Sequence, residues 1–197
     1  MGRGEETRER IVATAAGVFN ERGFAGASMA DLMAATGLQK GGIYRHFESK
    51  EALALEAFDH AIARMSERFA AAVRSTDHSV DRLHAIAEVF VRIPEDPPIP
   101  GGCPLMNAVI ECDDAHTPLR DRAHAAMDGL RDLLRRTTLR GIERGEIRAD
   151  VDAEALATVM VSMLEGAVAL SQACADPVHV RRAREHLEWY LEERVRA

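Results

Sequence analysis

Residues 7–53 read TRERIVATAAGVFNERGFAGASMADLMAATGLQKGGIYRHFESKEAL, and the fold turns on how this stretch is punctuated. From Glu5 to Arg22, Ile11, Ala15 and Phe19 recur at helical spacing with Val12 and Ala16 beside them, and Gly23 supplies a stop. Ser28 then stands as an N-cap with Asp31 three residues on, as in a capping box. Met29, Leu32, Met33 and Thr36 form one face until Gly37 ends that short helix. After the Gly37-Leu38 turn, Gln39 to Phe47 has the length of a further two-turn helix in which Ile43 and Phe47 point inward and the remaining residues are polar or glycine. Two short helices joined by a glycine-containing turn, the second exposing polar groups, make a helix-turn-helix, whose second helix fits the major groove of DNA.

Outward from this stretch the pattern stays helical. Ser49 caps a long fourth helix in which Leu55, Phe58, Ile62, Met65, Phe69 and Val73 keep steps of three and four residues, long enough to bridge two domains. Residues 1–93 contain no proline, whereas five of the seven fall between Pro94 and Pro104. Leu83, Ile86, Phe90 and Ile93 mark a fifth helix before that loop. Pro104 at a first helical position makes Cys103 the N-cap of a sixth. Thr117-Pro118 opens a seventh, with Leu119, Ala123, Met127, Leu130 and Leu134 inside, that ends near Gly145. Ala153 to Ala175 carries only two charges, Glu154 and Glu165, so its apolar surface runs nearly all round and must be covered on more than one side. Pro177 begins a last amphipathic helix with a stripe of Val180, Ala183, Leu187 and Leu191. No strand alternation and no internal repeat is present, so the expected class is all-α.

Composition narrows the function. With 197 residues, 47% apolar and 29% charged, the chain has material for a core that needs no staples. Its three cysteines, Cys103, Cys112 and Cys174, are odd in number and contain no CxxC pair, which argues against a disulfide framework or zinc ribbon and for a reducing cytoplasm. The charged start from Met1 to Arg10 is expected to be no secretory signal, and no uncharged run has the length of a membrane span. A net charge of -7 argues against nonspecific coating of nucleic acid but leaves room for a local basic face. The only two lysines, Lys40 and Lys50, lie ten residues apart in the decisive stretch of an otherwise arginine-based chain. There is no HExxH, P-loop, dinucleotide glycine pattern or GxSxG, so no enzyme and no cofactor are expected. Glu111, Cys112, Asp113, Asp114 and His116 include metal-ligand types at a spacing that fits no zinc or calcium pattern, and no metal is expected there.

The residue types in the second short helix point to DNA. Gly41 and Gly42 let its backbone approach a duplex closely, at a helix-propensity cost of about 1 kcal/mol each relative to alanine. Tyr44 has a hydroxyl able to reach phosphate, and Lys40 and Lys50 can act as phosphate-binding point charges that set register. Arg45 is the candidate base reader, since its fork fits guanine O6 and N7, and Gln39 is a second candidate. Read without DNA, Tyr44, His46 and Phe47 would form a small aromatic cluster; for Phe47 that core role is the expectation.

The quoted stretch resembles the DNA-binding region of TetR-family transcriptional regulators over roughly its whole length, through Phe19, Gly23-Phe24, Ser28, Asp31-Leu32, Gly37, Lys40-Gly41, Ile43-Tyr44, His46-Phe47 and Ser49-Lys50. Met33 stands where the family more often has alanine. The resemblance implies DNA contacts at Ser28, Met29, Lys40, Gly41, Gly42, Tyr44, Arg45, His46 and Lys50, with Ala30 and Thr36 at the margin. It also implies a DNA-binding domain over residues 1–50, with its recognition motif at about 28–47, and a helical effector-binding and dimerisation domain over residues 51–197. A regulator of this kind, most often a repressor, binds a palindromic operator as a homodimer and releases it for a small effector.

In the second half, Val159, Met163, Ala167 and Leu170, with Leu187 and Leu191, are the expected dimer seam. Phe58, Phe69, Phe90, Met106, Met127, Met160 and Met163, with Cys103 as an eighth candidate, suggest an apolar, adaptable effector pocket, although each of the seven also reads as ordinary core. Cys103, in Gly-Gly-Cys-Pro at 101–104, sits where a helix N-terminus lowers a thiol pKa. It is either an oxidant- or electrophile-sensing thiolate or a small buried N-cap, and a Gly-Cys step before this helix is similar to that of TetR-like regulators which respond through a cysteine.

Overall fold

A computed structural model describes residues 2–112 and 117–197. It contains, among the described residues, the helices α1 (Arg3–Arg22), α2 (Met29–Thr36), α3 (Lys40–Tyr44), α4 (Lys50–Arg74), α5 (Ser79–Arg92), α6 (Pro104–Glu111), α7 (Thr117–Glu143), α8 (Ala153–Ala173) and α9 (Val178–Tyr190). The last runs into a short π-helical turn over Leu191–Val195. The all-α expectation holds. Two compact units emerge: Met1–Met65 with Pro98–His124, and Ser66–Pro97 with Ala125–Ala197.

The first unit is organised by α1. Ile11, Ala15 and Phe19 are at most 1% exposed, as their spacing predicts, and with Leu32, Ile43, Leu53 and Phe58 they form its core. Phe24 stacks on Phe19 at 5.5 Å and meets Phe58 edge-on at 6.1 Å. Burying each such ring contributes roughly 1.5–3 kcal/mol, which is why α1, α2 and the start of α4 form one body.

Residues 98–102 also belong to this unit. Asn20, buried at the end of α1, donates from Nδ2 to the carbonyls of Pro100 at 2.8 Å and Gly102 at 3.2 Å. Asn107 on α6 donates back to the Asn20 side-chain oxygen at 2.9 Å and to the Gly101 carbonyl at 2.9 Å. Gly101 has φ +100°, and a Cβ there would fall 2.7 Å from the Asn20 backbone. The proline-rich loop is therefore seated on α1 so closely that only glycine fits.

In the second unit α8 packs against α5 and α9. Val80, Leu83, Ile86 and Phe90 of α5 are fully buried, as are Met160 and Leu164 of α8. Asp152 caps α8 by accepting from the amides of Glu154 at 2.9 Å and Ala155 at 3.1 Å. By length and hydropathy α8 would pass for a membrane span, yet half of that window is buried inside the protein, as in a core helix. The sequence pattern ends with α9, but the chain does not. After the π-turn, Arg196 forms an isolated antiparallel bridge with Ile147, and the Ala197 amide donates to the Glu146 carbonyl at 3.1 Å. Arg196 also pairs with Asp81 and Glu192, each at 2.6 Å.

Candidate nucleic-acid interface

α2 starts at the capping box read from sequence. Ser28 Oγ accepts from the Asp31 amide at 3.2 Å, and the Ser28 amide donates to Asp31 Oδ2 at 2.8 Å. The Ser28 hydroxyl also donates to that carboxylate at 2.6 Å, which with the backbone bond and nearby Arg22 holds the Asp31 pKa below its usual value. Gly37 at φ +70° closes α2, its amide donating to the Met33 carbonyl. The chain is thereby turned into α3 within three residues.

α3 is shorter than the two turns expected from Gln39 to Phe47. Regular α-helix covers only Lys40–Tyr44, although the Phe47 amide still donates to the Ile43 carbonyl at 3.2 Å. The Gly41-Gly42 pair weakens helix propensity, and the His46 amide bonds to Ile43 in the tighter i to i-3 manner, so the helix ends early. Ile43 and Phe47 are buried at 1% and 3%, so the core roles expected for them hold.

The opposite face of α3 is exposed. Gln39, Lys40, Gly41, Tyr44 and Arg45 point outward, Gly42 and His46 are half-buried, and the Lys40 ammonium lies over the Tyr44 ring at 5.7 Å. A Cβ added at Gly41 meets nothing within 4 Å, whereas at Gly42 it would touch the Leu38 side chain at 3.5 Å. Only Gly41 thus presents bare backbone to an approaching surface. His46 leans toward Phe47, whose ring also carries the Arg8 guanidinium at 4.9 Å. On α2, Ser28 is exposed and Met29 half-buried. Lys50 begins α4 half-buried, with its ammonium 3.3 Å from the Ala25 carbonyl and 6.0 Å from the centre of the Phe19 ring. Its charge is anchored to the fold, a role its sequence position did not announce.

The expected effector residues are divided between the units. Phe58, Cys103 and Met106 lie in the first, Phe69, Phe90, Met127, Met160 and Met163 in the second. Phe58 is committed to Phe24, and Phe69 meets Phe90 at 5.4 Å. Met160 is wholly buried and Met106, Met127 and Met163 are half-buried. A cavity of about 490 Å³ in the first unit is lined by Phe24, Ser49, Lys50, Ala54, Leu55 and Leu119 among others, and one of about 300 Å³ in the second by Arg148, Asp152, Val159, Tyr190 and Arg194 among others. None of the eight expected residues lines either. Cys103 is the N-cap of α6, as expected, but only 2% exposed, so a thiol reagent reaches it only when the surrounding loop opens. No disulfide joins the cysteines.

Of the expected dimer seam, Val159 and Leu170 are about half exposed and Met163 half-buried. Ala167, Leu187 and Leu191 are buried within the chain itself, consumed by the packing of α8, α9 and the π-turn. Trp189 and Tyr190, which the stripe of α9 overlooked, are instead exposed at 53% and 36%. The one tryptophan of the chain on an amphipathic helix was the available signal. No cluster of three metal-ligand side chains occurs among the described residues, and Asp113, Asp114 and His116 lie outside them.

Comparison with known proteins agrees with this geometry. The profile of bacterial regulatory proteins of the tetR family matches residues 11–57, and that of the tetracyclin repressor-like C-terminal domain matches residues 79–187. A TetR transcriptional regulator from Chloroflexus aurantiacus J-10-FL superposes with a TM-score of 0.96 at 48% identity, covering 100% of this chain and 99% of that one. The HTH-type transcriptional repressor DhaR of Mycobacterium sp. (strain GP1) is 26% identical over 185 residues, 93% of this chain and 88% of the relative. The TetR-family regulator CifR, solved as a cysteine mutant in complex with 26-bp double-strand operator DNA, superposes with a TM-score of 0.80 at 25% identity, over 90% of this chain and 94% of that one. The chain belongs to the TetR family of helix-turn-helix transcriptional regulators.

Proposed function

We propose that the protein is a cytoplasmic homodimeric repressor that binds a palindromic operator through residues 1–50 and is released from it by a small apolar effector taken up by residues 51–197. One observation carries the DNA-reading half: the outward row of Gln39, Lys40, Gly41, Tyr44 and Arg45 on a helix whose other face, Ile43 and Phe47, is locked into the core. Lys40, Tyr44 and Lys50 take phosphates and fix register, and Ser28, Met29 and His46 flank the same duplex. Gly41 brings the backbone close, with Gly42 behind it against Leu38, while Arg45, assisted by Gln39, reads base edges. The dimer places two such helices one helical turn of DNA apart.

The test is a fluorescence-anisotropy titration, at fixed salt, of the DNA just upstream of the protein's own gene. Tight binding that disappears in the Tyr44→Ala, Lys50→Ala double variant, with the dimer intact by light scattering, is the expected result. Undiminished binding in that variant would sink the assignment. Covalent switching at Cys103 is the second reading, favoured by the thiol's place at the α6 N-terminus and opposed by its burial. A thiol alkylator that labels Cys103 and leaves operator affinity unchanged removes it.

A further inference from the structure

The backbone of Ala25, in the turn between α1 and α2, is held at both its amide and its carbonyl. Glu111, the last residue of α6, accepts the Phe24 amide on Oε2 at 2.7 Å and the Ala25 amide on Oε1 at 2.6 Å. Lys50 donates to the Ala25 carbonyl at 3.3 Å. Short bonds to an ionised acceptor are among the stronger ones a protein makes. The fit is close: Gly23 has φ +80°, and a Cβ there would lie 3.0 Å from both Glu111 carboxylate oxygens. Three residues beyond Ala25 stands Ser28, the N-cap of α2.

α6 holds the same end of α1 at a second point. Asn107, one turn before Glu111, reaches the Asn20 side chain and the Gly101 carbonyl. Asn107 and Glu111 are four residues apart and therefore share a face of the helix, and Cys103, four residues before Asn107, is its N-cap. One eight-residue helix thus runs from the Gly-Gly-Cys-Pro loop to the turn that leads into the DNA reader.

We propose that Glu111 is a positioning residue for operator binding: through the backbone of Ala25 it sets where Lys50 and the N-terminus of α2 stand, so that loss of its carboxylate misplaces these contacts. This rests on the reading of Lys50, Ser28 and Met29 as DNA contacts. Glu111 is no DNA ligand itself; as an anion it would repel phosphate. Its loss should therefore lower specific affinity more than nonspecific affinity, whereas simple charge removal would raise both and partial unfolding would lower both alike.

The experiment compares wild type, Glu111→Ala and Glu111→Gln on the operator and on a scrambled duplex of equal length, with thermal melting alongside. For Glu111→Ala, operator affinity falls by roughly tenfold or more, as expected for two lost bonds to a charged acceptor, while affinity for scrambled DNA changes much less, because the misplaced Lys50 contact is offset by the removal of a negative charge. Glu111→Gln, which keeps the shape and one acceptor oxygen, lies between. In a Lys50→Ala background Glu111→Ala costs much less, because both act through the backbone of one residue, Ala25. Operator affinity within twofold of wild type, or an equal change on both duplexes, overturns the proposal. Should Glu111→Ala fail to fold, the operator-to-scrambled ratio of Glu111→Gln decides by the same criterion. Absence of operator binding by the wild type counts against the functional reading instead.

Discussion

At the residue scale Gly41 separates folding from function. Its missing side chain faces open space, so alanine there meets no clash. It should stabilise α3 by up to about 1 kcal/mol through helix propensity. If bare backbone at this point approaches a duplex, the same methyl stands between protein and DNA. Gly41→Ala is therefore expected to melt at or above the wild-type temperature while binding the operator more weakly; unaltered binding would show that α3 docks through other residues. Arg45 and Lys40 make a complementary pair. Arg45→Ala should relax discrimination at one base pair, by about 1–3 kcal/mol. Lys40→Ala should weaken all sequences alike and reduce the salt slope by about one. A binding series on singly substituted operators at several salt concentrations tells the two apart, and identical profiles would refute the division of labour.

At the element scale, what sequence revealed and what it hid follow from the range of the interactions. The boundaries of α1 and α2 were legible because Ile11, Ala15, Phe19 and the Ser28–Asp31 box act within a few residues of one another. The Asn20–Asn107 pair and the Glu111 carboxylate on Phe24 and Ala25 were not, since partners more than eighty residues apart leave no local pattern. α8 shows the intermediate case. Its sparse charge correctly required cover on more than one side, but periodicity does not say whose surface provides it. α5 and α9 of the same chain pack on α8, and Ala167 of α8 and Leu187 of α9 are buried, while Val159 and Leu170 of α8 with Trp189 and Tyr190 of α9 remain as exposed apolar surface. Both Val159 and Leu170 are half exposed, so glutamate at the two positions costs the isolated chain little and places charge in a desolvated seam if a dimer forms there. Sedimentation velocity should find this double variant monomeric with wild-type helicity and weakened on a palindrome; a persistent dimer would move the interface elsewhere.

At the scale of the whole molecule, stability is tied to acid by carboxylates in both units. Asp31 in the first and Glu146, Asp150 and Glu192 in the second are all held below their ordinary pKa values by hydrogen bonds that only the ionised form accepts fully. Glu192 is the extreme member. The Arg196 guanidinium donates to it at 2.6 and 2.9 Å and His84 lies 2.8 Å away, which takes its pKa from 4.5 to about 2. A carboxylate with a depressed pKa in the folded state binds fewer protons there than in the unfolded chain, so its stabilising contribution is complete above 4.5 and is lost as pH falls from there through about 2. The groups it joins lie far apart in the chain: Arg196 also pairs with Asp81, and its backbone bridges to Ile147. Losing that charge therefore loosens the closure of the second unit and not merely one helix end. Both side chains are partly exposed, so the effect is screened by solvent and should shrink at high salt. Glu192→Gln keeps the shape and removes the titration. Its urea midpoint should lie below that of the wild type at neutral pH, and the two should converge as pH drops from the ordinary carboxylate range toward about 2. A gap between the two that stays constant with pH would mean that packing, and not the Glu192 charge, holds the C-terminus in place.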